Sequence, residues 1–595
     1  MDVTNDVATH DQATASHPAR SRHRTALMRV DRSAYDASAL ADTVHGRFGE
    51  GGSMSRMSTG WRRAMGLGMV VAVGAIALAG PGSSLAQTPT QGGSIVAAIE
   101  GEPTSVDPAF DYDFVSGLAT DSITEPLLVF CEHDTKLCPN LATSWTVSPD
   151  GLTYTLKIRQ GVKFHDGTTM TVDDVVYSLD RIRDPKLGSY VGWMLANVAD
   201  VTAPDAETVV ITLSKPDALL EYALASTAAH VVNKAFVEAN GDKYGTPAVG
   251  SIGTGPFKFV EWVSGDHQTL ARFDDYWNKA NGGPYLDTVT IKILPEPTTR
   301  VAGLDTGEID YLVNNVPSDQ YATVAAMDNV ALSFAPSYYG EWITFNTAEA
   351  PFDNVKVRQA LNYAVDKKAI RQLFYGPDTP DTKATLVYPT LWTFDQPDWQ
   401  AAWDTLPAYD QDLAKAKQLL DESGVADQLN GKTIAYYEST PSIKAIGESF
   451  IDSMSKLGIN IQAQKVTYQE AVSLQFGDHT DYDMIVGSWG SDFPDPSGNL
   501  RPNFASENIV AGGANASAYT NPAVDALLSQ QNSLVDKTER AKLLIQAQSL
   551  IAEDSPVISV TNPGWPLAVN KRVQGASVGA LWYWASLFKD LSVTQ

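Results

Sequence analysis

The stretch VKFHDGTTMTVDDVVYSLDR (Val162–Arg181) sets His165 beside Asp166 and follows them with Asp173 and Asp174. A histidine among carboxylates is the material of acid–base catalysis or of a metal site. GASVG (Gly575–Gly579) matches the G-x-S-x-G pattern, in which a serine nucleophile sits on a strand-to-helix turn. Cys131 and Cys138 are the only cysteines, and they enclose His133 in CEHDTKLC. That pair offers either a disulfide or a two-thiol metal site. Which of these does chemistry depends on the elements that carry them.

Tyr154, Leu156 and Ile158 alternate along Tyr154–Ile158 as one face of a half-buried strand, and Gly161 and Asp166-Gly167 are turn signals. Thr171 is a good helix N-cap, Asp174 completes a capping box three residues later, and Asp173 suits the first helical turn. Val172, Val175, Val176, Leu179 and Ile182 then fall on one helical face. The acids are therefore expected to serve the helix end. His165 has no second histidine near it and is expected to be structural.

The serine motif fails on order. Its fold places the triad as Ser, then Asp, then His, whereas the last histidine here is His479, upstream of Ser577. A secreted hydrolase is set aside on that ground. His133, His165, His230, His267 and His479 are dispersed without an HExxH pattern, so no histidine metal cluster is expected, and there is no P-loop glycine pattern for nucleotide hydrolysis.

The 595 residues are 44% hydrophobic and 19% charged, an ordinary soluble composition with length for several domains. A formal charge of −27 leaves nothing to neutralise phosphates, which argues against nucleic acid and against anionic lipid. Residues 1–53 are polar and aperiodic. MSRMSTGWRRAMGLGMVVAVGAIALAGPGSSLAQ (Met54–Gln87) then has a basic start at Arg56, Arg62 and Arg63, an apolar core from Ala64 to Ala79, and small residues in Ser84-Leu85-Ala86. This reads as an export signal cleaved near Ala86, with export to the periplasm, and Met54 or Met57 as an alternative start. The Arg62-Arg63 pair raises twin-arginine export beside the general route. Taking the leader's nine Lys/Arg and seven Asp/Glu from totals of 43 and 70 leaves 34 and 63, a charge of −29. In an oxidising compartment a Cys131–Cys138 disulfide is the expected pairing. The two-thiol metal site stays open as the alternative, at a spacing unusual for zinc.

Beyond residue 92 short alternating segments interleave with helical ones. Thr208–Leu213 reads as a strand, Val357–Phe374 as one helix, and AKAKQLLDESG as a helix ending on Gly424. SIKAIGESFIDSMSKLG ends on Gly458 and leads into a strand, NIQAQKV. The mixture implies α/β layers in two or three domains.

The segment WTVSPDGLTYTLKIRQGVKFHDGTTMTVDDVVYS (Trp145–Ser178) closely resembles the dipeptide- and oligopeptide-binding family, the extracytoplasmic solute-binding proteins of ABC importers (family 5). The likeness continues in EPTSVDP (Glu102–Pro108), in GTGPF (Gly253–Phe257) running on to Tyr276-Trp277, in Phe345-Asn346 with PFDNVKVRQALN (Pro351–Asn362), and in WGSDFPDP (Trp489–Pro496). It covers essentially all of residues 92–595.

The resemblance implies an α/β fold, a type II-like periplasmic-binding-protein clamp of two lobes with an extra inserted domain. Residues 1–86 would be leader. Domain I would comprise 92–138, 248–345 and 560–595, domain II 139–247, and domain III 346–559. The lobe crossings would lie near Phe345-Asn346 and near Val557 to Pro563. The resemblance further implies a small solute, most naturally a peptide, an ABC permease with separate ATPase subunits as partners, a monomer, no enzymatic chemistry, no cofactor and no resident metal.

Peptide-binding relatives pair the peptide's α-ammonium with an acid at the position matching Asp492. Trp489 would line the same pocket, and Glu102, Trp342 and Trp565 fall at or near positions that contact ligand in some relatives. One departure stands out. Dipeptide-specific relatives place an arginine before the helix that starts near Ser442, whereas Tyr436–Lys444 has none, and Lys444 lacks the bidentate fork of a guanidinium. That puts a dipeptide in doubt and favours longer peptides, or another solute such as a sugar, glutathione, an opine or a metal chelate.

Overall fold

The computed structural model describes residues 89–131, 135–375, 380–477, 482–510 and 513–594; the leader with its expected cleavage at Ala86, and His133 and His479, lie outside them. Three sheets organise the chain. The first has seven strands, in the order Val330–Ala335, Trp565–Asn570, Tyr311–Val313, Ser94–Ile99, Thr288–Ile293, His267–Arg272 and Phe257–Val263. Ser94–Ile99 is central and runs parallel to Thr288–Ile293, with Ile95, Ala97, Ala98 and Ile99 all buried. A strand covered on both faces needs such a continuous apolar run.

The second sheet is antiparallel and has four strands, Ala142–Val147, Thr153–Ile158, Thr208–Leu213 and Val198–Asp205. Tyr154, Leu156 and Ile158 face its core as the alternation predicts. The helix Val172–Arg183 belongs to the same core and buries Val172, Val175, Leu179 and Ile182. Asp174 closes the capping box with Thr171, accepting from its backbone N–H at 2.9 Å. His165 is half-buried. It accepts from the Gly253 N–H on Nδ1 at 3.3 Å, so Nε2 is the donor to the Gly255 carbonyl at 3.0 Å. Burial pushes its pKa down to about 4. The stretch is a turn and a helix start.

The third sheet orders Gln462–Val466, Thr433–Tyr437, Met484–Gly490, Tyr339–Phe345 and Val557–Thr561. This corrects one expected boundary. Tyr339–Phe345 pairs with Met484–Gly490 and Val557–Thr561, not with the seven-stranded sheet, so the first crossing lies at 336–338 rather than at Phe345-Asn346. The return crossing lies at 562–564, between Val557–Thr561 and Trp565–Asn570. The two crossings are tied to each other. The Ser337 hydroxyl donates to the Pro563 carbonyl, and the Asn562 amide donates to the Ser337 carbonyl at 3.1 Å and the Tyr339 carbonyl at 2.5 Å.

A second correction concerns the expected helix over 357–374. It is two helices, Val355–Ala364 and Lys367–Tyr375, because Val365 is extended and Asp366 accepts from the Ala369 N–H at 3.0 Å as a fresh start. Cys131 and Cys138 form a disulfide with Cα atoms 5.3 Å apart at the hairpin of Leu128–Phe130 and Leu137–Pro139, which removes the thiolates the metal alternative required. Ser577 is exposed on irregular chain with no helix directly after it, unlike a nucleophile elbow. Among the described residues no helix is long and apolar enough to cross a membrane.

Candidate functional site

Met484–Gly490 leaves its sheet at Gly490, and the next residues are fixed from the other side of the crossings. The Tyr583 hydroxyl donates to the Ser491 carbonyl at 2.8 Å, and the Trp584 indole N–H donates to the Asp492 carbonyl at 2.8 Å. The Asp492 carboxylate is then met by the Tyr112 hydroxyl, which donates to Oδ2 at 3.0 Å across 380 residues of sequence. Among the described residues no Lys, Arg or His forms an ion pair with Asp492. Burial pushes its pKa up to about 7, with the Tyr112 hydrogen bond opposing the rise. A carboxyl in that state pairs strongly with a cation brought to it.

Asp492 opens onto a cavity of ≈ 340 Å³. Both sides of the crossings build it. Asp111 to Phe114, Trp565, Tyr583 and Trp584 come from chain around the seven-stranded sheet; Tyr339, Tyr437, the helix Tyr468–Phe476 and Val486 to Gly490 come from the five-stranded one. Of the twenty described lining residues ten are aromatic, three are aspartates and none is Lys, Arg or His, so these walls favour an apolar body bearing positive charge.

Trp489 lines this cavity and its ring meets Phe476 at 5.9 Å, while its buried indole N–H has no hydrogen-bond partner. Trp565 also lines it, is 5% exposed, donates to the Ala580 carbonyl at 3.2 Å and meets Phe114 edge-on at 5.4 Å. The structure thus brings Asp492, Trp489 and Trp565 together.

It does not bring Glu102 or Trp342 to them. The Glu102 carboxylate accepts from the Trp262 indole at 2.9 Å and the Gly265 N–H at 2.7 Å, outside the cavity wall. Trp342 is a core residue, 3% exposed, whose indole donates to Thr344 Oγ1 at 3.1 Å. Lys444 is also off the wall, lying 3.7 Å from Glu438 and 4.0 Å from Glu448. Sequence reasoning missed Tyr112, Phe114, Tyr339 and Tyr583. The dense aromatics of FDYDF (Phe110–Phe114) and LWYW (Leu581–Trp584) were the available signal. Among the described residues no group of three or more His, Cys, Asp or Glu is placed to hold a metal ion.

Comparison with known proteins points in one direction. The profile of the bacterial extracellular solute-binding proteins, family 5 (middle), matches residues 136–510. The chain is 32% identical to heme-binding protein A of Haemophilus influenzae, over 80% of this chain and 88% of that one. It is 30% identical to the glutathione-binding protein GsiB of Escherichia coli K12, over 82% and 91% respectively. Among solved structures, the periplasmic binding protein DppA of Helicobacter pylori in complex with the peptide STSA superposes with a TM-score of 0.72 at 26% identity, covering 85% of this chain and 99% of that one. CtaP, an ABC transporter substrate-binding protein of Listeria monocytogenes, gives 0.74 at 27%, covering 85% and 100%.

Proposed function

The chain belongs to family 5 of the bacterial extracellular solute-binding proteins, and from that premise we propose that it is the exported receptor of an ABC importer, capturing a small peptide by its α-ammonium at Asp492. The observation that carries this reading is the Asp492 carboxylate itself. The Tyr112 hydroxyl donates to it and the Trp584 indole fixes the residue's backbone carbonyl, both from one side of the crossings, while the strand Met484–Gly490 leads into it from the other; among the described residues no cation pairs with it.

A ligand ammonium at Asp492 contacts groups of both lobes at once. Such contacts favour the closed clamp only by the difference in affinity between closed and open states. The tied crossings at 336–338 and 562–564 serve as the hinge. Three domains follow: one around the seven-stranded sheet, an inserted one around the four-stranded sheet, and a third running from Tyr339 to Thr561. Aromatic walls bind peptide side chains with little sequence preference. The described lining, acidic and without Lys, Arg or His, opposes solutes whose charge is mainly carboxylate, such as glutathione or haem propionates.

The receptor itself does no chemistry and has no cofactor; it acts as a monomer in the periplasm after cleavage near Ala86, and hands its solute to a permease driven by separate ATPase subunits. A thermal-shift panel of peptides, glutathione, oligosaccharides, opines and metal chelates tests this. A ligand specific for the native state adds about 2.7 kcal/mol at a hundredfold excess over its dissociation constant. Shifts with peptides are expected. Shifts confined to sugars or chelates would overturn the peptide assignment and keep the receptor.

A further inference from the structure

The three aspartates of the cavity are not equivalent. Asp113 caps the turn before the helix Gly117–Ile123, accepting from the Val115 and Ser116 N–H groups and the Ser116 hydroxyl at 2.9, 2.7 and 2.9 Å. Asp492 accepts from Tyr112. Asp111 lines the same cavity and is 2% exposed, yet its Oδ2 has no hydrogen-bond partner. The nearby Thr120 hydroxyl donates to the Ser116 carbonyl at 3.2 Å, and among the described residues no Lys, Arg or His pairs with the Asp111 carboxyl.

Its charged neighbours are all acids: Asp113 and Asp107 on its own segment, and Asp121 on the adjacent helix. Arg181 is already engaged by Asp107 at 2.6 and 2.9 Å. His230, behind Asp121 with Nε2 at 3.5 Å, is held neutral by burial, which pushes its pKa down to about 3. Burial and these acids hold the Asp111 carboxyl well above the usual range. A buried carboxyl facing a cavity with an open oxygen is unfavourable until a partner supplies what it lacks.

We propose that Asp111 is a second cation anchor, so that the solute carries a second positive group: a peptide with a lysine or arginine side chain next to its α-ammonium. The inference rests on the peptide reading above. Asp111 precedes Tyr112, whose hydroxyl reaches Asp492, and both acids wall one cavity of ≈ 340 Å³. The two charges are therefore placed for groups on a single N-terminal residue. A cation bound there favours the Asp111 carboxylate, which burial otherwise opposes, so binding drives proton release to solvent.

Calorimetry with Lys-Ala-Ala and norleucine-Ala-Ala, equal in side-chain carbon count, separates the possibilities. The lysine peptide is expected to bind more than tenfold tighter to the wild-type chain, the scale of a hydrogen bond to a charged group. It should also release more protons than the norleucine peptide when buffers of different ionisation enthalpy are compared. Asp111→Asn should bring the affinity ratio near one and abolish the extra proton release, whereas Asp492→Asn should weaken both peptides and keep the ratio. Equal affinities in the wild-type chain, or a ratio that survives Asp111→Asn, would overturn the second anchor while leaving Asp492 in place. If neither peptide binds the wild-type chain, the peptide reading fails and the anchor falls with it. The wild-type comparison decides the matter even if the variant does not fold.

Discussion

Asp492 and Asp495 stand three residues apart on one loop, in opposite surroundings. Asp495 is 0% exposed, and both its oxygens are taken by Arg540 at 2.8 and 3.0 Å, with the Ser497 N–H and hydroxyl at 2.9 and 2.5 Å. Arg540 is in turn held by Gln531 at 2.9 Å. Asp492 has a single neutral donor, Tyr112. A buried acid already matched inside the fold is structural; one left with only a hydroxyl can accept charge from outside. Asp174 and His165 fall on the structural side of the same division, since backbone groups occupy both.

The largest effect should come from breaking the matched member. Arg540→Ala leaves Asp495 buried without its partner and should cost about 3–5 kcal/mol of stability, read by urea unfolding. Asp492→Asn should leave stability unchanged or slightly higher, while costing about 1.5–3 kcal/mol of peptide affinity, read by calorimetry. A large stability loss in Asp492→Asn would erase the contrast between the two acids.

The comparison sharpens with pH. Burial holds the Asp492 carboxyl at about 7, above its ordinary 3.8. Below 3.8 both native and unfolded chains hold the proton. Between 3.8 and about 7 only the native chain does, so its contribution to stability is full below that window and is lost as pH rises through it. Glu341, pushed up to about 7, and Glu125, pushed up to about 6, contribute slopes of the same sign, so the difference between wild type and Asp492→Asn isolates Asp492. Peptide affinity runs the other way, weakening as pH falls below about 7, because the ammonium needs the carboxylate. The smallest effect is expected from Tyr112→Phe, about 0.5–1.5 kcal/mol of affinity, with the pH midpoint of binding moved upward because a hydrogen bond that favours the carboxylate is gone.

Legibility in the sequence followed the range of the interaction. The alternation in Thr153–Ile158, the Thr171–Asp174 box and the Gly424 cap are local and were readable as they stand. The break at Val365 was not, because apolar residues continue through both helices and only the backbone at Asp366 separates them. The crossing at 336–338 was misplaced since Tyr339–Phe345 is apolar enough for either sheet, and its partners decide its membership. In the cavity, Asp492 and Trp489 were reachable through the WGSDFPDP resemblance, and Trp565 only by its place just past the second crossing. Tyr112 was not, as no local pattern encodes a hydrogen bond spanning 380 residues. Glu102 is expected at the ligand only through the resemblance, and its partners Trp262 and Gly265, on a hairpin 160 and 163 residues away, leave no local trace that would have placed it elsewhere.

The most direct measurement of the ammonium anchor is a two-by-two calorimetric cycle: one tripeptide and its N-acetylated form against the wild-type chain and Asp492→Asn. Acetylation removes the positive charge and little else. The account predicts that acetylation weakens binding more than tenfold in the wild-type chain and by little in Asp492→Asn, because the two changes delete the same contact. Equal binding of both peptides by the wild-type chain, or a full acetylation penalty surviving in Asp492→Asn, would contradict it.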